Sequence, residues 1–181
     1  MGFACLLNSP QVCRASVLMN PNGYAGESRR AVKVADFMTP EQRSHAMSRV
    51  RGKETRIECA VRSSLHAKGF RFRKNPQNIP GRPDIVLPKY KAVVFIHGCF
   101  WHGHAACKKS ALPSTRHEFW ESKIARTRER DREKSDQLIS KGWRIAVIWQ
   151  CSLETKQSLS STVDTLASWL RSISDCLELP S

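Results

Sequence analysis

The sequence predicts an α/β/α sandwich, a small central mixed sheet with helices on both faces. Three observations carry this. Ala92-Val93-Val94-Phe95-Ile96 and Trp143-Arg144-Ile145-Ala146-Val147-Ile148-Trp149 are short apolar runs rich in β-branched residues, the mark of buried strands. A charged helical stretch, Phe119 to Lys141, lies between them and is long enough to make the crossover that parallel neighbours need. Asp84-Ile85-Val86-Leu87 precedes the first run by only a Pro88–Tyr90 turn, so those two strands pair antiparallel and the sheet is mixed.

Taken in order, residues 1–37 lack sustained periodicity and carry turn formers such as Asn20-Pro21-Asn22-Gly23, which predicts a flexible extension before a single domain over 38–181. A helix is expected from Thr39-Pro40-Glu41-Gln42, where Thr39 caps, Pro40 suits the first turn and Gln42 completes a capping box. A second helix opens at Thr55, with Ile57, Val61 and Leu65 on one face and Gly69 as the stop. Phe70-Arg71-Phe72-Arg73 alternates like a strand, and 75–83 reads as a loop. Residues 98–116 form a loop rich in Cys, His and Gly. Val163, Leu166, Leu170, Ile173 and Leu177 trace one face of a closing helix, about 160–177.

The chain has 181 residues, of which 40% are hydrophobic and 25% charged, so a buried core is expected and wholesale disorder is not. No apolar run approaches the roughly 18–20 residues of a membrane span. MGFACLLN lacks a preceding positive charge and reads as a poor secretory signal. Thirty Lys and Arg against sixteen Asp and Glu leave a net charge of +14, which points to a polyanionic partner, nucleic acid first. Seven cysteines, odd in number and widely spread, suggest a reducing compartment and hence the cytoplasm.

The densest chemistry lies in His97-Gly98-Cys99-Phe100-Trp101-His102-Gly103-His104-Ala105-Ala106-Cys107. Cys99, His104 and Cys107 supply three donors of the kind zinc takes. Cys99 stands just beyond one buried strand and Cys151 just beyond the other. If those strands are parallel neighbours, Cys151 completes a tetrahedral set, leaving no position for a reactive water, so the zinc would be structural. The alternative is that these cysteines pack as small apolar residues.

A second constellation is Pro80-Gly81-Arg82-Pro83-Asp84. An acidic residue opening a strand after a tight turn is the layout of many Mg²⁺-dependent nucleases, where carboxylate oxygen suits the hard cation. The usual partner acid and lysine on the next strand are missing, since residues 89–107 hold no Asp or Glu. His97 and His102 flank the strand end instead and offer a base near neutrality. Read alone, Asp84 serves equally well as a turn-capping aspartate.

PGRPDIV, VVFIHGCFWHGH, EFW with the following RERDR, and GWRIAVIWQCSL resemble the very short patch repair endonucleases, from about Met38 to Leu153. The resemblance implies a restriction-endonuclease-like fold and an enzyme that nicks DNA 5′ of the T in T:G mismatches left by deamination of 5-methylcytosine. It implies Mg²⁺ held by Asp84 and the Ile96 carbonyl, His102 as general base, and His97 on metal-bound water or phosphate. Glu58 would be an accessory acid, although Thr55 and Glu58 also make a capping box. Cys99, His104, Cys107 and Cys151 match the family's zinc set, with the spacing to Cys107 one residue longer than the commonest pattern. Phe100, Trp101 and Trp120 match aromatics that wedge into the base stack beside the mismatch, with Met47 entering from the other groove. Unstacking is easier at a mismatch, so such a wedge selects weakened pairs. Trp120 at a helix start is equally well read as core.

The resemblance also implies a monomer acting on mismatched double-stranded DNA in the bacterial cytoplasm, linked in function to a cytosine-5 DNA methyltransferase and to mismatch-repair proteins. Two alternatives stand beside it: a restriction-type endonuclease, and a zinc-stabilised DNA-binding protein without catalysis. The latter explains the charge and the thiols but leaves PGRPD, His97 and His102 without a purpose.

Overall fold

In a computed structural model, which describes residues 39–49, 54–74, 76–105 and 107–180, the chain forms a five-stranded mixed sheet between two layers of helix. The extension before residue 38 and its expected flexibility lie outside the described residues. Helix α1, Pro40–Ser48, begins with the expected reciprocal cap: Gln42 N–H donates to Thr39 Oγ1 at 3.2 Å and Thr39 N–H donates to Gln42 Oε1 at 3.0 Å. Helix α2 spans Arg56–Ala67, and the chain turns at Gly69, whose φ is +86°.

The strands are β1 Arg73–Lys74, β2 Ile85–Leu87, β3 Ala92–His97, β4 Arg144–Trp149 and β5 Cys176–Leu179. They lie side by side in that order, antiparallel from β1 to β3 and parallel from β3 to β5. Between β3 and β4 run the short helix α3, Cys99–His102, and the long helix α4, His117–Ser140; α5, Lys156–Arg171, follows β4.

Side-chain alternation on the strands divides the core in two. Ile85, Leu87, Val94, Ile96 and Ile148 face α2 and α5, meeting Val61, Leu65, Val163, Leu166 and Leu170. Val86, Val93, Ile145 and Val147 face the opposite way, toward Leu138 of α4 and Cys99. Among the described residues no helix is long and apolar enough to cross a membrane.

Two expectations are corrected. Phe70-Arg71-Phe72-Arg73 is not a strand over its length: Phe70 is buried against the core, and pairing begins only at Arg73. The closing helix ends at Arg171 rather than 177. Ile173 is 99% exposed, and Leu177 belongs to β5. Arg144 holds this end, together with Ser172, whose Oγ donates to the Trp169 carbonyl at 2.8 Å. The Arg144 guanidinium donates to the carbonyls of Trp169 at 2.7 Å, Leu170 at 3.3 Å and Ser174 at 2.8 Å, satisfying helix-end acceptors that another turn would have used.

Candidate active site

The parallel pairing of β3 and β4 sets His97 opposite Trp149, so Cys99 and Cys151 each lie two residues past a paired position, at the same sheet edge. Around that edge the sequence folds into two neighbouring constellations.

The first is a cluster of sulfur and imidazole donors. One ligand atom from each of Cys99, His104, Cys107 and Cys151 falls within 4.8 Å of the others. His104 Nδ1 is 3.6 Å from Cys99 Sγ and 3.4 Å from Cys151 Sγ. The longer spacing to Cys107 does not prevent this convergence. Ser110 Oγ ties the segment down, 2.6 Å from His104 O and 2.7 Å from Cys107 O. Burial, together with the neighbouring sulfurs, pushes the Cys151 thiol up, and burial pushes His104 down. Thiolates in this setting call for a compensating cation, so the cluster can hold a metal ion.

The second is a cleft lined by Glu58, Arg82, Asp84, Ile96, His97 and His102, with Asp131, Lys134 and Ser135 of α4. Five of the residues expected from the sequence therefore meet in one place. Gly81, at φ +75°, makes the turn tight enough for this. A Cβ there would come within 3.1 Å of Phe95 Cζ and 3.2 Å of Lys134 Cβ. Asp84 Oδ2 accepts the Ile96 N–H at 2.7 Å, which fixes the carboxylate against the end of β3. Burial pushes the Asp84 carboxyl up to about 6, the Ile96 hydrogen bond pulls it back in part, and the charge of Glu58 adds to the rise.

Glu58 has two attachments besides the cleft. Its N–H donates to Thr55 Oγ1 at 3.4 Å and its Oε1 accepts from that hydroxyl at 2.7 Å. Oε2 accepts the Glu54 N–H at 3.0 Å and lies 3.6 Å from Arg62. Thr55 caps the helix, but Glu58 returns to the Thr55 hydroxyl and the Glu54 N–H instead of the Thr55 N–H that a capping box would use, and with both oxygens so engaged the side chain still lines the cleft.

His97 and His102 stack with centroids 3.8 Å apart and planes 5° from parallel. His102 Nδ1 lies 2.6 Å from Asp131 Oδ2, so Nδ1 carries the shared proton and Nε2 is the ring acceptor. Burial, and next the charge on His102, hold His97 down at about 3, which makes it a neutral imidazole at physiological pH. His97, His102 and Asp131 also bring ligand atoms within 4.8 Å of one another. Their orientation does not suit one ion, because nitrogen lone pairs lie in the ring planes and two near-parallel planes 3.8 Å apart share no point. The His102–Asp131 pair is suited instead to holding a proton between nitrogen and carboxylate.

Asp131 is the residue sequence reading missed. The signal was weak: Asp131 shares a stripe of α4 with Ile124, Ser135 and Leu138, but charges surround the helix, so the stripe stands out only once Ile124 and Leu138 are packed.

Phe100, Trp101 and Trp120 do come together, with centroid separations of 5.1, 5.2 and 6.1 Å. Phe119, 49% exposed, extends the cluster toward solvent, and Lys123 Nζ lies within 5.8 Å of the Trp101, Phe119 and Trp120 rings. Gly103 lets α3 sit this close to α4, since a Cβ would fall 2.6 Å from Ile124 Cγ2. Met47, expected to enter from the other groove, stands apart on α1 and is 38% exposed.

A carboxylate and two histidines in a cleft at the edge of a mixed sheet, beside a half-buried aromatic cluster on a basic chain, fit a nuclease of the α/β class. Comparison with known proteins gives the family. A family model described as DNA mismatch endonuclease Vsr matches residues 35–109. The chain is 47% identical over 128 residues to the type II nicking enzyme V.XorIIP of Xanthomonas oryzae, covering 71% of this chain and 93% of that protein. It is 45% identical over 123 residues to the type II nicking enzyme V.NmeAIP of Neisseria meningitidis, covering 68% and 87%. To the DNA mismatch endonuclease Vsr of Escherichia coli it is 37% identical over 139 residues, covering 76% and 88%. The chain belongs to the Vsr family of DNA mismatch endonucleases.

Proposed function

We propose that the chain is a Mg²⁺-dependent, strand-specific endonuclease that nicks 5′ of the T in T:G mismatches arising from 5-methylcytosine deamination, and so starts very short patch repair. The observation that carries this is α3. One short helix bears Phe100 and Trp101, which join the aromatic cluster, and His102, which joins Asp131 in the cleft. Opening of the base stack and placement of the base are therefore one event.

Asp84 suits a hard cation: one carboxylate oxygen is held by Ile96 N–H and the other remains for the metal. A strand residue presents its N–H and C=O on the same side, so the Ile96 carbonyl shares that edge and answers for the missing second acid. When bound, magnesium would polarise the scissile phosphate and lower the pKa of a water. His102 accepts the proton of the attacking water at Nε2, and Asp131 steadies the imidazolium that forms. Neutral His97 holds water or phosphate oxygen by hydrogen bond. Glu58 orients within the cleft, and Arg82 and Lys134 line it with positive charge for the phosphate.

The sulfur cluster suits zinc. Zn–S bonds of about 2.3 Å and a Zn–N bond of about 2.0–2.1 Å meeting at a tetrahedral angle place S and N roughly 3.6 Å apart. The observed separations are 3.6 and 3.4 Å. With all four positions filled by the chain, such a zinc is structural. The enzyme acts as a monomer in the bacterial cytoplasm, downstream of a cytosine-5 DNA methyltransferase and alongside mismatch-repair proteins. The relatives' description as nicking enzymes favours one cut over two.

The test uses labelled duplexes with T:G, C:G or T:A at one position, with Mg²⁺ or EDTA, and the wild type beside Asp84→Ala. A single nick on T:G alone, dependent on Mg²⁺ and lost by roughly a thousandfold or more in a folded, metal-replete Asp84→Ala, is expected. Two cuts in matched DNA would favour a restriction enzyme, and binding without cleavage a DNA-binding protein.

A further inference from the structure

The indole of Trp149 lies between the sulfur cluster and the cleft, in contact with one histidine of each. Its ring stacks on His104 at 4.2 Å and 4° from parallel. Toward the cleft it meets His97 edge-on, at 5.3 Å and 71°. Trp149 is 8% exposed, and its Nε1–H donates to a single described partner, Glu178 Oε1, at 2.7 Å. Glu178 lies on β5, in register with Val147, at the outer edge of the parallel half of the sheet.

We infer that Glu178 is a positioning residue for cleavage, one that acts through Trp149 on both histidines at once. The inference rests on the functional reading above. Without the carboxylate, a nearly buried indole N–H is left unpaired, and the ring is free to turn toward another acceptor. A turned indole unstacks from His104 on one side and releases the edge against His97 on the other. His97 in turn stacks on His102, the base. The chain of contacts runs from the C-terminal strand to the proton acceptor without touching DNA.

The experiment compares Glu178→Leu, which removes the acceptor, with Glu178→Gln, which keeps a carbonyl oxygen there, and with Trp149→Phe, which keeps a ring but has no N–H to donate. Three readouts are taken on the full chain: single-turnover nicking of a T:G duplex with Mg²⁺, affinity for the same duplex with Ca²⁺ in place of Mg²⁺, and the rate of zinc release to a chromogenic chelator. Glu178→Leu is expected to slow nicking by roughly ten- to a hundredfold, the scale of an ångström's misplacement of a catalytic group. Duplex affinity should hold, and zinc release should speed several-fold. Glu178→Gln should restore both. Trp149→Phe should reproduce the Leu phenotype, and the double variant should be no worse than either single one.

Wild-type nicking and zinc release in folded Glu178→Leu would overturn the inference, as would Gln behaving like Leu or additive losses in the double variant. Should Glu178→Leu fail to fold, Trp149→Phe and Glu178→Gln decide in its place. A wild type that leaves T:G uncut defeats the functional proposal instead, and zinc release then judges Glu178 by itself.

Discussion

The sulfur cluster and the cleft stand at the same end of β3 and β4 and share α3, yet they are built on opposite plans. The cluster draws three of its four donors from nine consecutive residues, 99–107, and closes on one distant cysteine. The cleft draws from α2, the start of β2, the end of β3, α3 and α4. The cluster's donors are directed at a common centre. In the cleft, one oxygen of Asp84 is held by the Ile96 N–H and one nitrogen of His102 by Asp131, around an open pocket. A closed set holds structure, and an open one leaves room for a substrate and a reactive water. The two regions also differ in how they tolerate change. On the proposed function, a missing donor in the cluster would release the segment carrying α3, whereas a missing group in the cleft would remove chemistry from an intact frame.

The sharpest test of that contrast is Asp131→Asn. The asparagine keeps the shape but can present its NH₂ to Nδ1 of His102, favouring the wrong tautomer. Nicking of T:G duplex should fall by roughly a hundred- to ten-thousandfold, with stability and cluster metal content unchanged. Loss of metal or folding in this variant would erase the distinction between the two regions.

Cys151→Ala probes the other side. It removes the one ligand that ties the 99–107 segment to the end of β4. Metal content, expected at one zinc per chain in the wild type, should fall together with stability, by at least about 3 kcal/mol in chemical denaturation, because metal-binding energy in such a site is folding energy. Full zinc in the variant, or none in the wild type, would count against the assignment.

Trp101→Ala, the smallest effect, bears on the element the regions share. Trp101 lies between Cys99 of the sulfur cluster and His102 of the cleft. Binding to T:G duplex should weaken about five- to a hundredfold, since stacking is worth roughly 1–3 kcal/mol per base. Binding to matched duplex at the same salt should hardly change, because it rests on Lys and Arg contacts to phosphate. Equal losses on both duplexes would mean that the indole only packs α3.

Much of this was legible in the chain itself. The cluster could be read because short spacings and strand ends are local facts: once β3 and β4 are recognised as parallel, Cys99 and Cys151 must emerge together. The place of Asp84 could be read from its turn, the reciprocal cap at Thr39 from Gln42, and the helix start at Thr55 from its hydroxyl. The fifth strand was not legible. Leu170, Ile173 and Leu177 continue the helical spacing of α5, yet the guanidinium of Arg144, arriving from β4, and the side chain of Ser172 hold the helix end, and Leu177 pairs in the sheet.

The sequence by itself determined the sheet's mixed character, the segment that carries the chemistry, and the types of donor available there, because propensity, periodicity and spacing act along the chain. Tertiary structure alone decided which acid completes the base and what steadies the histidines. α4 is charged all round, so its own pattern does not say which carboxylate meets His102; the packing of Ile124 and Leu138 turns Asp131 inward. Glu178 reaches Trp149 only because a strand close to the C-terminus pairs beside β4, a contact set by the sheet's lateral hydrogen bonds and invisible to any local rule.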